Sequence, residues 1–157
     1  MARDDRESTI GLAEAIVALT VVGEDGRVDV DLGLDPICAE TIGDTLATLL
    51  AEHNASLVLS WAGENDTVLA HMVARRLGVP RASIELDLGL LTVGQPVKEG
   101  TRAVLVGVES SASRSAQVVA TLLAGHSSEL VTVGYIKRSR ADAGTSDPSV
   151  PTVVLEK

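Results

Sequence analysis

Ala103–Val108 is apolar at nearly every position, with Gly100 just behind it. A run with no polar face predicts a strand buried on both sides, as in a parallel sheet covered by helices. Ser110, Ser111, Ser113 and Ser115 follow, with Ala112 and Arg114 among them. Val118, Val119, Leu122 and Leu123 then recur at helical spacing, and Gly125 marks the stop. Strand, small polar loop and helix start form the order that aims backbone N–H groups and the positive end of a helix dipole at an anion.

The remaining pattern repeats this order. Ser8–Leu19 is helical in period, with Ile10, Ala13, Ile16 and Val17 on one face. Thr20–Val22 and Arg27–Leu32 flank a Gly23–Gly26 turn. In the second of them Val28, Val30 and Leu32 alternate with Asp29 and Asp31, so a hairpin with one solvated face is expected. The two acids read as that solvated face rather than as metal ligands. Asp35-Pro36 is an N-cap followed by Pro in the first turn, opening a helix to about His53 with Cys38, Ile42, Leu46 and Leu49 as its buried stripe. Cys38 is then a small core residue. Ser56–Trp61 is a strand, residues 62–66 a loop, and Thr67–Leu77 a helix ended by Gly78-Val79-Pro80. Ile84, Leu86 and Leu88 alternate with Ser83, Glu85 and Asp87 as a further strand. A connection over Gly89–Gly100 follows, containing the hairpin-like Leu90–Val93. Glu129–Lys137 is one more strand, Arg138–Val150 reads as a mobile surface loop, and Pro151–Leu155 as a short edge strand.

Alternating strands and helices predict an α/β fold, one domain over 1–157, with a doubly wound parallel sheet flanked by helices. Ligands of such sheets bind outside the carboxyl ends of the strands, which singles out Trp61–Asp66 and Gly107–Ser115. Composition narrows the partners. A net charge of −9 disfavours phosphate-backbone contacts, and with no Phe, Trp61 and Tyr135 are the whole aromatic complement. Nucleic acid is therefore not expected. One cysteine allows no intramolecular disulfide, and His53, His71 and His126 have no ligand-like spacing, so no metal site is expected. The start has no apolar leader and no segment approaches ~18 apolar residues, which reads as a cytosolic chain with no membrane partner.

The order V-D-V-D-L, Asp35-Pro36, SLVLSW, VLAHMVARRLGVP, TRAVLVGVESSASRSAQVVATLLAG, ELVTVGYIKR and VPTVVLEK resembles the type I phosphoribosyltransferases, most of all the orotate phosphoribosyltransferases. The resemblance covers nearly the whole chain and implies a Rossmann-like sheet with an N-terminal helix and a β-hairpin hood. In that family two adjacent acids after the apolar strand hold the ribose hydroxyls of phosphoribosyl pyrophosphate (PRPP), and a Thr/Gly-rich loop wraps its 5-phosphate. Here the acid positions fall on Gly107 and Val108, with Glu109 one residue late, and the loop falls on Ser111–Ser115. The resemblance thus implies a phosphate site at Ser110, Ser111, Ala112, Ser113, Arg114 and Ser115, and a ribose or pyrophosphate side at Glu109, Ala62, Gly63, Glu64 and Asn65.

Several family features depart. Glu64 and Asp66 stand where a pyrophosphate loop has small residues, Ile84–Asp87 replaces an Arg-Lys pair, and Gly89–Gly100 is a shortened flap whose only base is Lys98. Removing one preorganised electrostatic contact costs ~10²–10³ in rate. The expectation is a non-catalytic, regulatory protein that binds a phosphorylated metabolite or a protein partner. It would form a homodimer, or a heteromer with a related subunit, through the apolar Leu88–Val93 segment. The alternative is a divergent active phosphoribosyltransferase of nucleotide metabolism using PRPP and Mg²⁺, the ion held by Glu64, Asp66 and Glu109. Trp61 reads as a packing residue with base stacking as the rival, and Glu109 as a solvated acid with hydroxyl binding as the rival. Arg114 suits phosphate and a helix terminus equally.

Overall fold

The computed structural model describes residues 10–111, 114–140 and 149–156. Helix α1 (Leu12–Ala18) leads into the hairpin β1 (Thr20–Val22) and β2 (Val28–Val30), which pair antiparallel as a separate two-stranded hood. Then follow α2 (Pro36–Leu50), β3 (Leu57–Trp61), α3 (Glu64–Leu77), β4 (Arg81–Asp87), β5 (Leu90–Val93), β6 (Arg102–Glu109), α4 (Ala116–Ala124), β7 (Glu129–Lys137) and β8 (Thr152–Val154).

The last six strands form one sheet in the order β5-β4-β3-β6-β7-β8. Every pair is parallel except β4–β5, where Leu90–Val93 turns back on Ile84–Asp87 as an antiparallel edge. The central β6 is buried from Ala103 to Val108, as its unbroken apolar run requires. Side chains alternate between two cores. Val104, Val106 and Val108 face α2 and α3, whereas Ala103 and Leu105 face α4 through Val119 and Leu123. The expected α/β sheet with helices on both faces and a hairpin hood is present. No helix among the described residues is long and apolar enough to cross a membrane.

Several elements differ from the sequence reading. On α1 the buried face is Ala15 and Ile16 with Leu19, while Val17 is 74% exposed. On α2 the stripe Cys38, Ile42, Leu46 continues at four-residue spacing to Leu50, leaving Leu49 half exposed. Helix α3 starts at Glu64, not Thr67, because Gly63 serves as N-cap and the acids Glu64 and Asp66 suit the first turn. Leu86 and Leu88 are exposed although they continue the apolar alternation of β4. The register explains this: β3 ends opposite Ile84, so the tip of β4 has only β5 as a neighbour and projects past the sheet. In the hood Val28 is exposed, whereas Val30 and Leu32 are buried. Arg138–Val150 is described only at residues 138–140 and 149–150, so the rest of that expected loop lies outside the described residues.

Asp35 caps α2, its Oδ1 accepting from the N–H groups of Ile37 (2.9 Å) and Cys38 (3.1 Å). The Cys38 N–H holds the Asp35 carboxyl below its ordinary range, and burial, aided by Asp35, pushes the Cys38 thiol up. A raised thiol in the core is a poor nucleophile, in keeping with a packing role.

Candidate functional site

A cleft of about 630 Å³ opens where β3, β6 and β7 end and the hood hangs over them. Its floor is made by Trp61, Gly107, Val108 and Tyr135, so both aromatic residues of the chain meet here. Gly107 is closely packed: a Cβ there would lie 3.3 Å from the Tyr135 ring and 3.5 Å from Asp66 Oδ1. Val108 turns its side chain into the α2/α3 core.

Asp66, in the first turn of α3, reaches across to this strand end. Its Oδ1 accepts from the Val108 N–H at 2.8 Å, and its Oδ2 lies 3.6 Å from Arg114 Nη1. The Arg114 guanidinium also lies over the Trp61 ring, 5.9 Å from its centroid, at the outer limit for a cation–π contact. With Arg114 half exposed, that ion pair contributes only about 0.2–1 kcal/mol. The polar loop is thus tied to β3 and α3 through one movable cation.

On the opposite wall, Lys137 at the end of β7 is largely buried. It pairs with Glu109 Oε2 at 3.2 Å and donates to the Val28 carbonyl of the hood. Asn65 at the start of α3 accepts the Leu32 N–H on its Oδ1 at 2.9 Å, tying the chain just after the hood to that helix. Ser110 donates its N–H to the Lys137 carbonyl, and its Oγ accepts from the Ser139 N–H at 3.0 Å. Ser115 is the N-cap of α4 but its hydroxyl makes no cap bond, so the first N–H groups of that helix have no side-chain acceptor from it. Asp29 from β2 closes the rim.

Of the residues expected from sequence, Asn65, Glu109, Ser110, Ser111 and Arg114 line the cleft. Ala62, Gly63 and Glu64 are exposed beside it and do not line it, because the helix begins at Glu64 and turns them outward. Ala112 and Ser113 lie outside the described residues. The acids Glu64, Asp66 and Glu109 are not gathered: among the described residues no three His, Cys, Asp or Glu side chains come together as a metal site. Asp66 is taken up by Val108 and Arg114, and Glu109 by Lys137. Sequence reading missed Asp29, Tyr135, Lys137 and Ser139 as cleft residues, and placed Asp66 only as a repulsive or metal-binding acid. The available signal for Lys137 was its place, the first charge after the apolar run of β7 and level with Glu109 of β6.

No protein-family model and no curated protein sequence matches this chain. Solved structures do. Adenine phosphoribosyltransferase from Thermoanaerobacter pseudethanolicus is similar over 92% of this chain and 98% of its own, with a TM-score of 0.76 at 16% identity. Adenine phosphoribosyltransferase from Saccharomyces cerevisiae, complexed with an imino-altritol bisphosphate and adenine, covers 92% and 97% with a TM-score of 0.74 at 14% identity. Mycobacterium tuberculosis orotate phosphoribosyltransferase, in complex with inorganic phosphate, covers 92% of each chain with a TM-score of 0.65 at 20% identity. This is the type I phosphoribosyltransferase fold.

Within that fold the cleft occupies the carboxyl ends of the parallel strands, where α/β sheets take their ligands. The two positions at which the resemblance expects adjacent acids are Gly107 and Val108, one crowded by Tyr135 and Asp66 and the other turned into the core. Three carboxylates (Asp29, Asp66, Glu109) and two cations (Arg114, Lys137) line the cleft, and both cations already face a carboxylate.

Proposed function

We propose that this phosphoribosyltransferase-fold chain binds a phosphorylated metabolite at Ser110–Ser115 and does not carry out phosphoribosyl transfer at the rate of the fold's enzymes. The end of β6 carries this reading. A side chain at Gly107 would press on the Tyr135 ring and point at the Asp66 carboxylate, and Val108 presents its backbone N–H to Asp66 rather than a side chain to the cleft. Two adjacent carboxylates at these positions would require rebuilding the packing of Tyr135 and the α2/α3 core. The phosphate half is better supported. Arg114 stands beside the start of α4, whose dipole and N–H groups favour an anion, and Ser110 and Ser111 line the same cleft. Two neighbours of the same fold are described with phosphate-bearing molecules, inorganic phosphate and a bisphosphate.

Asp66 favours a second reading. It delivers a carboxylate to the strand end from α3, so a divergent active enzyme using PRPP and Mg²⁺ would have an acid near the ribose.

Calorimetric titration with ribose 5-phosphate, inorganic phosphate and PRPP, with and without Mg²⁺, tests both. On the binding reading, ribose 5-phosphate binds without Mg²⁺, Arg114→Ala weakens it about ten-fold through one lost charge-assisted contact, and no pyrophosphate is released with adenine or orotate. Mg²⁺-dependent pyrophosphate release would establish the enzyme instead. Silence with every phosphate at millimolar concentration overturns the site.

A further inference from the structure

Arg114 is fixed at its backbone and mobile in its side chain. Its N–H donates to the Ser111 carbonyl at 3.1 Å, and the next residue, Ser115, is the N-cap of α4. The guanidinium meanwhile faces Asp66 Oδ2 at 3.6 Å and lies over the Trp61 ring. The two members of this ion pair are unequal. The Asp66 side chain is 18% exposed and its Oδ1 is held by the Val108 N–H at 2.8 Å, whereas Arg114 is 49% exposed. When the pair opens, Arg114 is the partner that moves, and Asp66 stays behind at the end of β6.

The cation best placed for a ligand anion beside the start of α4 is thus already engaged by a carboxylate of the chain itself. Ligand and Asp66 compete for it, and charge decides the contest. A phosphate group carries about 1.5–2 negative charges at neutral pH, against one on Asp66. A free monoanion gains no charge over Asp66 and must also displace a partner held at high effective concentration by the fold. An exposed ion pair is weak enough to yield to the stronger anion. We propose that the Asp66–Arg114 contact is an autoinhibitory latch, in which Arg114 leaves Asp66 and the Trp61 ring for a dianionic group and stays in place against monoanions. This rests on the phosphate-binding reading above and adds how that site is kept closed.

Trp61 is the only tryptophan, so its emission reports the contact without a label. Inorganic phosphate, sulfate and acetate are titrated at one ionic strength while that emission is read. Calorimetry then measures phosphate affinity in wild type, Asp66→Asn, Asp29→Asn and Arg114→Ala. Asparagine at 66 keeps an oxygen for the Val108 N–H. Asp29 lines the same cleft with no ion pair among the described residues, so Asp29→Asn measures plain relief of repulsion. The expected result is that phosphate and sulfate move the emission toward that of Arg114→Ala, and acetate does not. Asp66→Asn should tighten phosphate about three-fold more than Asp29→Asn does, the weight of one exposed ion pair. In the Arg114→Ala background the two changes should have equal effect. Equal tightening with Arg114 present, or phosphate binding that leaves the emission unmoved, overturns the latch and leaves the phosphate site standing. Acetate moving the emission as far as sulfate overturns it too, since the contact would then open to any anion. Phosphate that binds neither wild type nor Asp66→Asn overturns both readings together. The wild-type titrations need no variant, and a thermal melt verifies that each variant folds.

Discussion

Asp35 links a local sequence signal to a measurable pH dependence. Its carboxylate accepts the Ile37 and Cys38 N–H groups at the start of α2, and the Cys38 bond is the main cause of its lowered pKa. A carboxyl lowered on folding adds stability that is complete above the ordinary carboxylate range and is lost as pH falls through the lowered value. Asp35→Ala should therefore melt below wild type at neutral pH, and the gap should close in acid, as circular dichroism would record. A constant gap down to acid pH would mean that the capping bonds do not depend on the charge. This signal was legible, because an N-cap needs only its own three following residues. The Asp66–Arg114–Trp61 group was not. Its members are brought together by β3, α3 and the loop after β6, and nothing in the spacing of positions 61, 66 and 114 encodes that meeting.

Elements were readable in type and less so at their ends. The unbroken run of β6 and the β-α-β order carried the parallel sheet, because burial on both faces leaves a mark on every residue of a strand. The start of α3 was not readable, since its N-cap is Gly63, which has no side chain to announce a helix. Helix packing hides similar constraints. Gly43 on α2 faces Met72 on α3, and a Cβ at 43 would stand 2.7 Å from Met72 Cβ, a contact that rotating the Met72 side chain cannot relieve. Gly43→Ala gains up to about 1 kcal/mol of helix propensity. It should still lower stability by about 1–2 kcal/mol, or roughly 2–8 °C, as the helices move apart. A melt at or above the wild-type temperature would show that the helices part without cost. The β4–β5 turn makes the opposite case. Leu88 is 98% exposed with φ 47°, a conformation that disfavours leucine and suits asparagine. Leu88→Asn should raise stability by about 1 kcal/mol, since there is no burial to lose. A fall in melting temperature that grows with protein concentration would instead mean that Leu88 is covered by a second copy.

At the scale of the whole molecule, the hood and the sheet are separate β structures joined through a few polar ties and a shared apolar contact. Val30 and Leu32 bury against the α2/α3 core, Asn65 accepts the Leu32 N–H, and Lys137 donates to the Val28 carbonyl while pairing with Glu109. Lys137 and Asn65 both border the cleft, so hood position and ligand access share these side chains, and Lys137 is the charged one. Replacing it with methionine keeps much of its apolar length and removes both polar contacts. Glu109 is left facing the cleft without its cation, which adds to the negative charge there. In Lys137→Met, amide exchange within β1 and β2 should quicken about ten-fold, the effect of losing roughly 1.4 kcal/mol of local stability. Exchange at Ala103–Leu105 of β6 should stay unchanged, since these positions are paired with both β3 and β7. Phosphate ligands should weaken in the same variant. Unaltered hood exchange together with weakened ligand would place Lys137 in ligand binding alone, and the hood would then be fastened by Asn65 and by the burial of Val30 and Leu32.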